Sequence, residues 1–168
     1  SAIPPMSGTD RTLHPALGSY YCLPDVIIIA GGINDYTYAQ SAQSEPLPWD
    51  GKTTVSDLVS FTQQYALMLR RIMSSYKNSI IICLSTFFSL RGTFNGTTYT
   101  HTVGSNVYTQ SDYDAAIESV CKKMDVPFID IGSVGFNRFN YYPMYAIDSE
   151  TTPTHPNAAG HQVIGEYL

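Results

Sequence analysis

The sequence is poor in charge: only 14% of its 168 residues are Asp, Glu, Lys or Arg, with a formal net charge of -5. Its nine Lys and Arg are scattered rather than clustered. That excludes the basic stripe of a nucleic-acid interface and the polybasic patch of a protein held on an anionic membrane. Cysteine is scarce too. Cys22, Cys83 and Cys121 are an odd set without close spacing, neither a disulfide framework nor a metal-ligand motif. Cys83 in an apolar strand and Cys121 in a predicted helix read as buried, inert thiols. No apolar run is long enough to span a bilayer. Ser1 to Pro5 shows no basic stretch leading into an apolar core, the mark of a signal peptide; a mature secreted chain would lack one as well. With no repeat and no linker, one domain over residues 1–168 is expected. What is plentiful is uncharged and polar. Thirteen tyrosines with many Ser, Thr and Asn suit neutral ligands such as sugars, although Tyr also fills cores.

The chain is organised around Pro24 to Tyr36. Val26 to Ala30 is an unbroken apolar run, β-branched at all but its last position. Such a run predicts a strand buried on both faces of a sheet. Gly31 and Gly32 then allow a sharp turn and close backbone approach. Asn34 therefore leaves the C-terminal end of a buried strand, where open α/β sheets bind ligands. Tyr36 to Lys52 reads as a long loop. Tyr36, Tyr38 and Trp49 in it could wall a site for a sugar or acyl chain, or simply pack the loop down.

Thr54 with Asp57 predicts the start of a helix running to about Ser75, and Ser79 to Leu84 a second buried strand. Asn95-Gly96 predicts a tight reversal, with Thr97 to Thr102 as a hairpin arm. Ser111 is the expected cap of the next helix, with a buried stripe of Tyr113, Ala116, Ile117, Val120 and Met124. Val126 to Ile131 predicts a third strand. Asn157 to Tyr167 predicts a closing helix with Ala159, Val163, Ile164 and Tyr167 inward. Strand, helix, strand in this order is a parallel crossover pattern.

Gly32-Ile33-Asn34-Asp35 after its apolar strand resembles the GxND block of the SGNH (GDSL-type) hydrolase family. Thr154-His155-Pro156-Asn157-Ala158-Ala159-Gly160-His161 resembles that family's His-Pro block and following helix. Ser7-Gly8-Thr9-Asp10 resembles the block whose glycine supplies a backbone donor. The resemblance implies an α/β fold, a flavodoxin-like three-layer sandwich with a parallel sheet. It also implies a serine esterase or acylhydrolase acting on a small-molecule or carbohydrate ester, without cofactor or metal. His155 would be the general base, since histidine exchanges protons near neutral pH. The Asn34 amide and the Gly8 N–H would form the oxyanion hole.

The chain departs from that pattern twice. It has no Gly-Asp-Ser, whose serine is the family's nucleophile, and Thr152 stands where an acid usually precedes the histidine by three. Asp148 or Glu150 could orient His155 instead, as could a backbone carbonyl; Asp148 is the preferred choice. The resemblance implies that the nucleophile and the N-terminal strands lie upstream, in a longer parent, and that this chain alone is inactive. An exposed edge along Val26 to Ala30 would then accept an N-terminal fragment or a second copy. A secreted or bacterial cell-surface location is the expectation. The alternative is a non-catalytic carbohydrate-binding domain that reuses the fold. A nucleotide binder is poorly supported, because no Gly-rich phosphate loop joins the first strand to a helix.

Overall fold

The structure, a computed structural model, describes residues 24–38, 44–51, 59–147 and 155–168. Gly8, Asp148, Glu150, Thr152 and the Thr54 cap fall outside these residues. The β-branched run forms β1 (Val26–Ala30) and the second apolar run forms β2 (Ile80–Leu84). They pair in parallel from Val26 opposite Ile80 to Ala30 opposite Leu84. β6 (Phe128–Ile129) adds to the far side of β2, giving the sheet order β1-β2-β6. The third strand is shorter than Val126 to Ile131. Only Phe128 and Ile129 meet β2, opposite Cys83 and Leu84.

Between these strands lie α1 (Ile33–Tyr38), α2 (Phe61–Ser75), a hairpin sheet of β3 (Thr93–Phe94), β4 (Tyr99–Val103) and β5 (Asn106–Thr109), and α3 (Gln110–Lys123). α4 (Ala158–Tyr167) closes the chain. Helices α2 and α3 cover one sheet face, where Leu69, Tyr113, Ile117 and Val120 pack with Ile27, Ile81 and Cys83. On the other face, Ile164 of α4 packs with Tyr141, Ala146, Phe136 and Leu84. The result is an α/β fold with helical layers on both sides of a parallel sheet. Among the described residues no helix is long and apolar enough to cross a membrane.

Several local expectations are corrected. β1 is not buried on both faces: Val26 is 47% and Ile28 55% exposed, while Ile27 between them is 6%. Tyr36 to Tyr38, expected to open the long loop, instead complete the six-residue α1. α2 begins at Phe61. Ser60, in extended backbone, is its cap and accepts the Gln63 N–H at 3.3 Å. Thr109, not Ser111, opens α3, because Asp112 reaches back to the Thr109 N–H and hydroxyl at 2.6 and 2.8 Å. In α4, Ala159 and Tyr167 face outward. The inward position is Gly160, where a Cβ would meet the Tyr145 carbonyl oxygen and Pro156. The α3 stripe and the burial of Cys83 and Cys121 match the sequence reading.

Candidate functional site

The C-terminal ends of the three parallel strands form a polar rim. After β1, Gly32 has φ +106°, and a Cβ there would press on Phe61, Ile117 and Thr86 at 3.1–3.3 Å. Only glycine combines that backbone with that contact. The Tyr36 N–H closes the turn on the Gly32 carbonyl at 3.1 Å. Asn34 follows, exposed, in the first turn of α1. Next to it, burial raises the pKa of Asp35.

After β2, the fully buried Ser85 joins the second and third strand ends. Its hydroxyl donates to Asp130 at 3.1 Å and accepts the N–H groups of Ile131 and Gly132 at 2.9 and 3.2 Å. A hydroxyl so placed is a structural tie rather than an accessible nucleophile. Thr86 donates both its N–H and its hydroxyl to Asp114 of α3, at 2.7 and 2.8 Å. Burial raises the Asp114 pKa, against the lowering effect of these two hydrogen bonds. Gln110 adds a third tie, donating to the Thr86 hydroxyl at 2.7 Å and accepting the Ser89 N–H at 3.1 Å.

Beside this rim is a cavity of about 830 Å³. The hairpin, the exposed side of α3 and the segment 132–138 enclose it. Phe88, Phe94, Tyr99 and Phe136 contribute aromatic wall, and Asp114, Glu118, Asp130 and Arg138 the charges. The hairpin holds its shape through two local devices. The Asn95 side chain accepts the N–H groups of Thr97 and Thr98 at 3.0 and 2.9 Å. Gly92, at φ +112°, lies so close to Thr100 that a Cβ would strike its carbonyl oxygen.

His155 opens the last helix. The backbone that follows it is held on either side of Pro156: Ile147 N–H donates to the His155 carbonyl at 3.0 Å, and Asn157 N–H to the Tyr145 carbonyl at 2.6 Å. Ala146 and Pro156 form an isolated antiparallel bridge between these bonds. The Asn157 side chain caps α4 by accepting the Gly160 N–H at 2.9 Å and donates to the Met144 carbonyl at 2.9 Å. The His155 side chain is exposed. Neither Asn34 nor His155 lines the 830 Å³ cavity.

The two aromatic candidates part company. Tyr36 lines the inner wall of that cavity while fully buried. Its hydroxyl lies 3.3 and 3.2 Å from the carbonyls of Arg91 and Tyr99, and burial, followed by the charge of Asp112, pushes its pKa up to about 12. Trp49 instead packs on the α2–α3 side, with the Lys123 ammonium 5.6 Å from its ring and bonded to its carbonyl at 2.9 Å. It lines a separate depression with Arg70 and Met124. Tyr38 lies under the Arg91 guanidinium at 4.6 Å.

Sequence reasoning missed Asp114, Asp130, Arg138 and His101. His101 on β4 meets the Tyr36 ring edge-on at 5.5 Å, and burial, with Arg91 nearby, lowers its pKa. None of the four belongs to a motif; Asp114, Asp130 and Arg138 meet only around the folded cavity, and His101 only against Tyr36. Among the described residues, no three His, Cys, Asp or Glu side chains group as a metal site would.

A parallel sheet layered by helices, with an asparagine just beyond its first strand and a histidine opening its last helix, defines an α/β protein of the class that binds ligands beyond its strand C-termini. The chain belongs to the GDSL-like lipase/acylhydrolase family, whose sequence model matches residues 7–163. Its fold is correspondingly SGNH-like. A solved protein from Lactobacillus plantarum is similar over 84% of this chain and 63% of its own, at 24% identity and a TM-score of 0.61. A second solved structure is similar over 84% and 61%, at 20% identity and a TM-score of 0.61. At these identities the likeness speaks for the fold alone. The chain spans less than two thirds of either structure. A candidate GDSL-like lipase from Bacteroides ovatus shows 19% identity over 88% of this chain and 53% of its own, with a TM-score of 0.49, too distant to argue from. No curated protein matches the chain.

Proposed function

We propose that this chain is part of a serine esterase or acylhydrolase that deacylates a carbohydrate or another small-molecule ester, its nucleophilic serine lying upstream of Ser1. The observation that carries the reading is the setting of His155: an exposed imidazole just before α4, whose own carbonyl and following Pro156-Asn157 backbone are bonded to segment 145–147. A general base needs that combination of fixed position and access. In this scheme His155 takes the serine proton as the hydroxyl attacks the acyl carbon, then returns it to the departing alcohol. The Asn34 amide and the Gly8 N–H hold the oxyanion. Asp148 keeps the imidazole in the productive tautomer, a role Glu150 or a backbone carbonyl could fill instead. The scheme uses no metal and no cofactor.

The exposed side chains of Val26, Ile28 and Ile80 favour an upstream fragment, or a second copy, packing along β1. A chain that light scattering finds monomeric, with Val26 and Ile28 still exposed to solvent labelling in the longest form of the protein, would count against this packing.

The test of the reaction is hydrolysis of p-nitrophenyl acetate by the full-length protein. His155→Ala should abolish turnover, and Asn34→Ala should lower it by about 10²–10³-fold, the usual cost of one oxyanion donor. Turnover unchanged in His155→Ala would remove the histidine from the mechanism. Saccharide binding without any hydrolysis would favour the non-catalytic alternative.

A further inference from the structure

The cavity beside the rim has no role in the scheme above. We propose that it binds the saccharide portion of an uncharged or amine-bearing carbohydrate and selects against anionic ones. This deepens the carbohydrate-ester reading and rests on it only for calling the ligand part of a substrate; the binding itself needs no hydrolysis.

At about 830 Å³ the cavity falls in the range of small-molecule sites, roughly 300–1,000 Å³. Its charges decide among ligand classes. Asp114, Glu118 and Asp130 are three carboxylates against the single guanidinium of Arg138. Phosphate, sulfate or carboxylate groups would meet net repulsion. Hydroxyls and ammonium groups would find acceptors. A hydrocarbon chain would strip water from those carboxylates without replacing its hydrogen bonds, a loss that burial makes costly.

The apolar wall complements this. Phe88, Phe94, Tyr99 and Phe136 supply ring surface of the kind that packs against the C–H faces of a sugar. Arg138 ties the two sides of the cavity together: its guanidinium lies 4.3 Å from the Phe94 ring centre and 5.1 Å from that of Phe139. The Phe94 contact links the hairpin to the 132–138 segment. Aromatic surface interleaved with carboxylates and hydroxyls matches a polyol better than a lipid or a nucleotide.

The test is calorimetric titration of the full-length protein with three unacylated disaccharides: cellobiose, chitobiose and cellobiouronic acid. Cellobiose and chitobiose should bind saturably, and cellobiouronic acid about ten-fold more weakly. Phe94→Ala should weaken cellobiose about ten-fold. Because that change also removes the Arg138 stack, Glu118→Gln, at an exposed position of α3, serves as the second variant. It should reduce the preference for chitobiose over cellobiose and narrow the gap between cellobiose and the uronate. No saturable binding of either neutral or amine-bearing disaccharide would overturn the proposal, as would equal binding of the uronate. Binding without any ester hydrolysis would keep the cavity and remove the hydrolase reading. His155-dependent activity with no binding would do the reverse.

Discussion

The two faces of the parallel sheet carry the same kind of side chain and meet different surroundings. On one face Ile27, Ile81 and Cys83 are 6%, 8% and 0% exposed, under α2 and α3. On the other, Val26, Ile28 and Ile80 are 47%, 55% and 60% exposed, whereas Leu84, two residue pairs further along, is 3%. Neighbouring isoleucines in one strand thus differ roughly as core differs from surface. The lesson is that an apolar strand residue is buried by what crosses over it. α2 and α3 arrive as the crossovers between strands and cover the first face along its length. α4 and segment 141–146 cover the second face only toward the end near Leu84 and Ile129.

The largest expected break is on the covered face. Leu69→Ala, fully buried on α2, should lower the unfolding free energy by about 2–5 kcal/mol, read from a urea or guanidinium midpoint. Gly32→Ala comes next. It forces a Cβ into the left-handed region and against Phe61, Ile117 and Thr86, so a loss of about 2 kcal/mol is expected in the same measurement. A loss under half of that would show that the turn relaxes without strain.

Asp114, at the end of the same face, gives a pH-dependent comparison. Burial raises its pKa above the ordinary 3.8, so the folded chain holds that proton more tightly than the unfolded chain. Its contribution therefore favours folding at low pH and is lost as pH rises from about 3.8 through the raised value. Stability of the wild type relative to Asp114→Asn should fall across that interval. A difference that stays flat, or grows with pH, would contradict the desolvated carboxylate. The smallest effect is expected on the open face: Ile28→Thr should stay within about 0.5 kcal/mol for this chain, a surface-like value. A loss as large as that of Leu69→Ala would mean that something covers β1 in solution.

The legible part of the chain was the part with short-range logic. The β-branched run, the second apolar run and the α3 stripe announce their elements because strand pleat and helix pitch set fixed spacings. The α3 cap was missed: the expectation fell on Ser111, whereas Thr109 and Asp112 form the capping box. The inward turn of Gly160 was not legible. It depends on the carbonyl of Tyr145, which the antiparallel bridge brings alongside from 15 positions earlier in the chain. The candidate base and amide were found by their resemblance to a motif. The cavity was invisible, because Phe94, Asp114, Asp130 and Arg138 come from four separate stretches.

By itself, the order of residues determined β1, β2 and the buried stripe of α3, because backbone preference and apolar periodicity act over a few neighbours, and its motifs marked Asn34 and His155. The tertiary structure decided which face of β1 lies under helices, which hydroxyls are consumed as ties and where the carboxylates gather. Those outcomes depend on surfaces that meet only after the chain has crossed over itself, and no local spacing encodes that meeting.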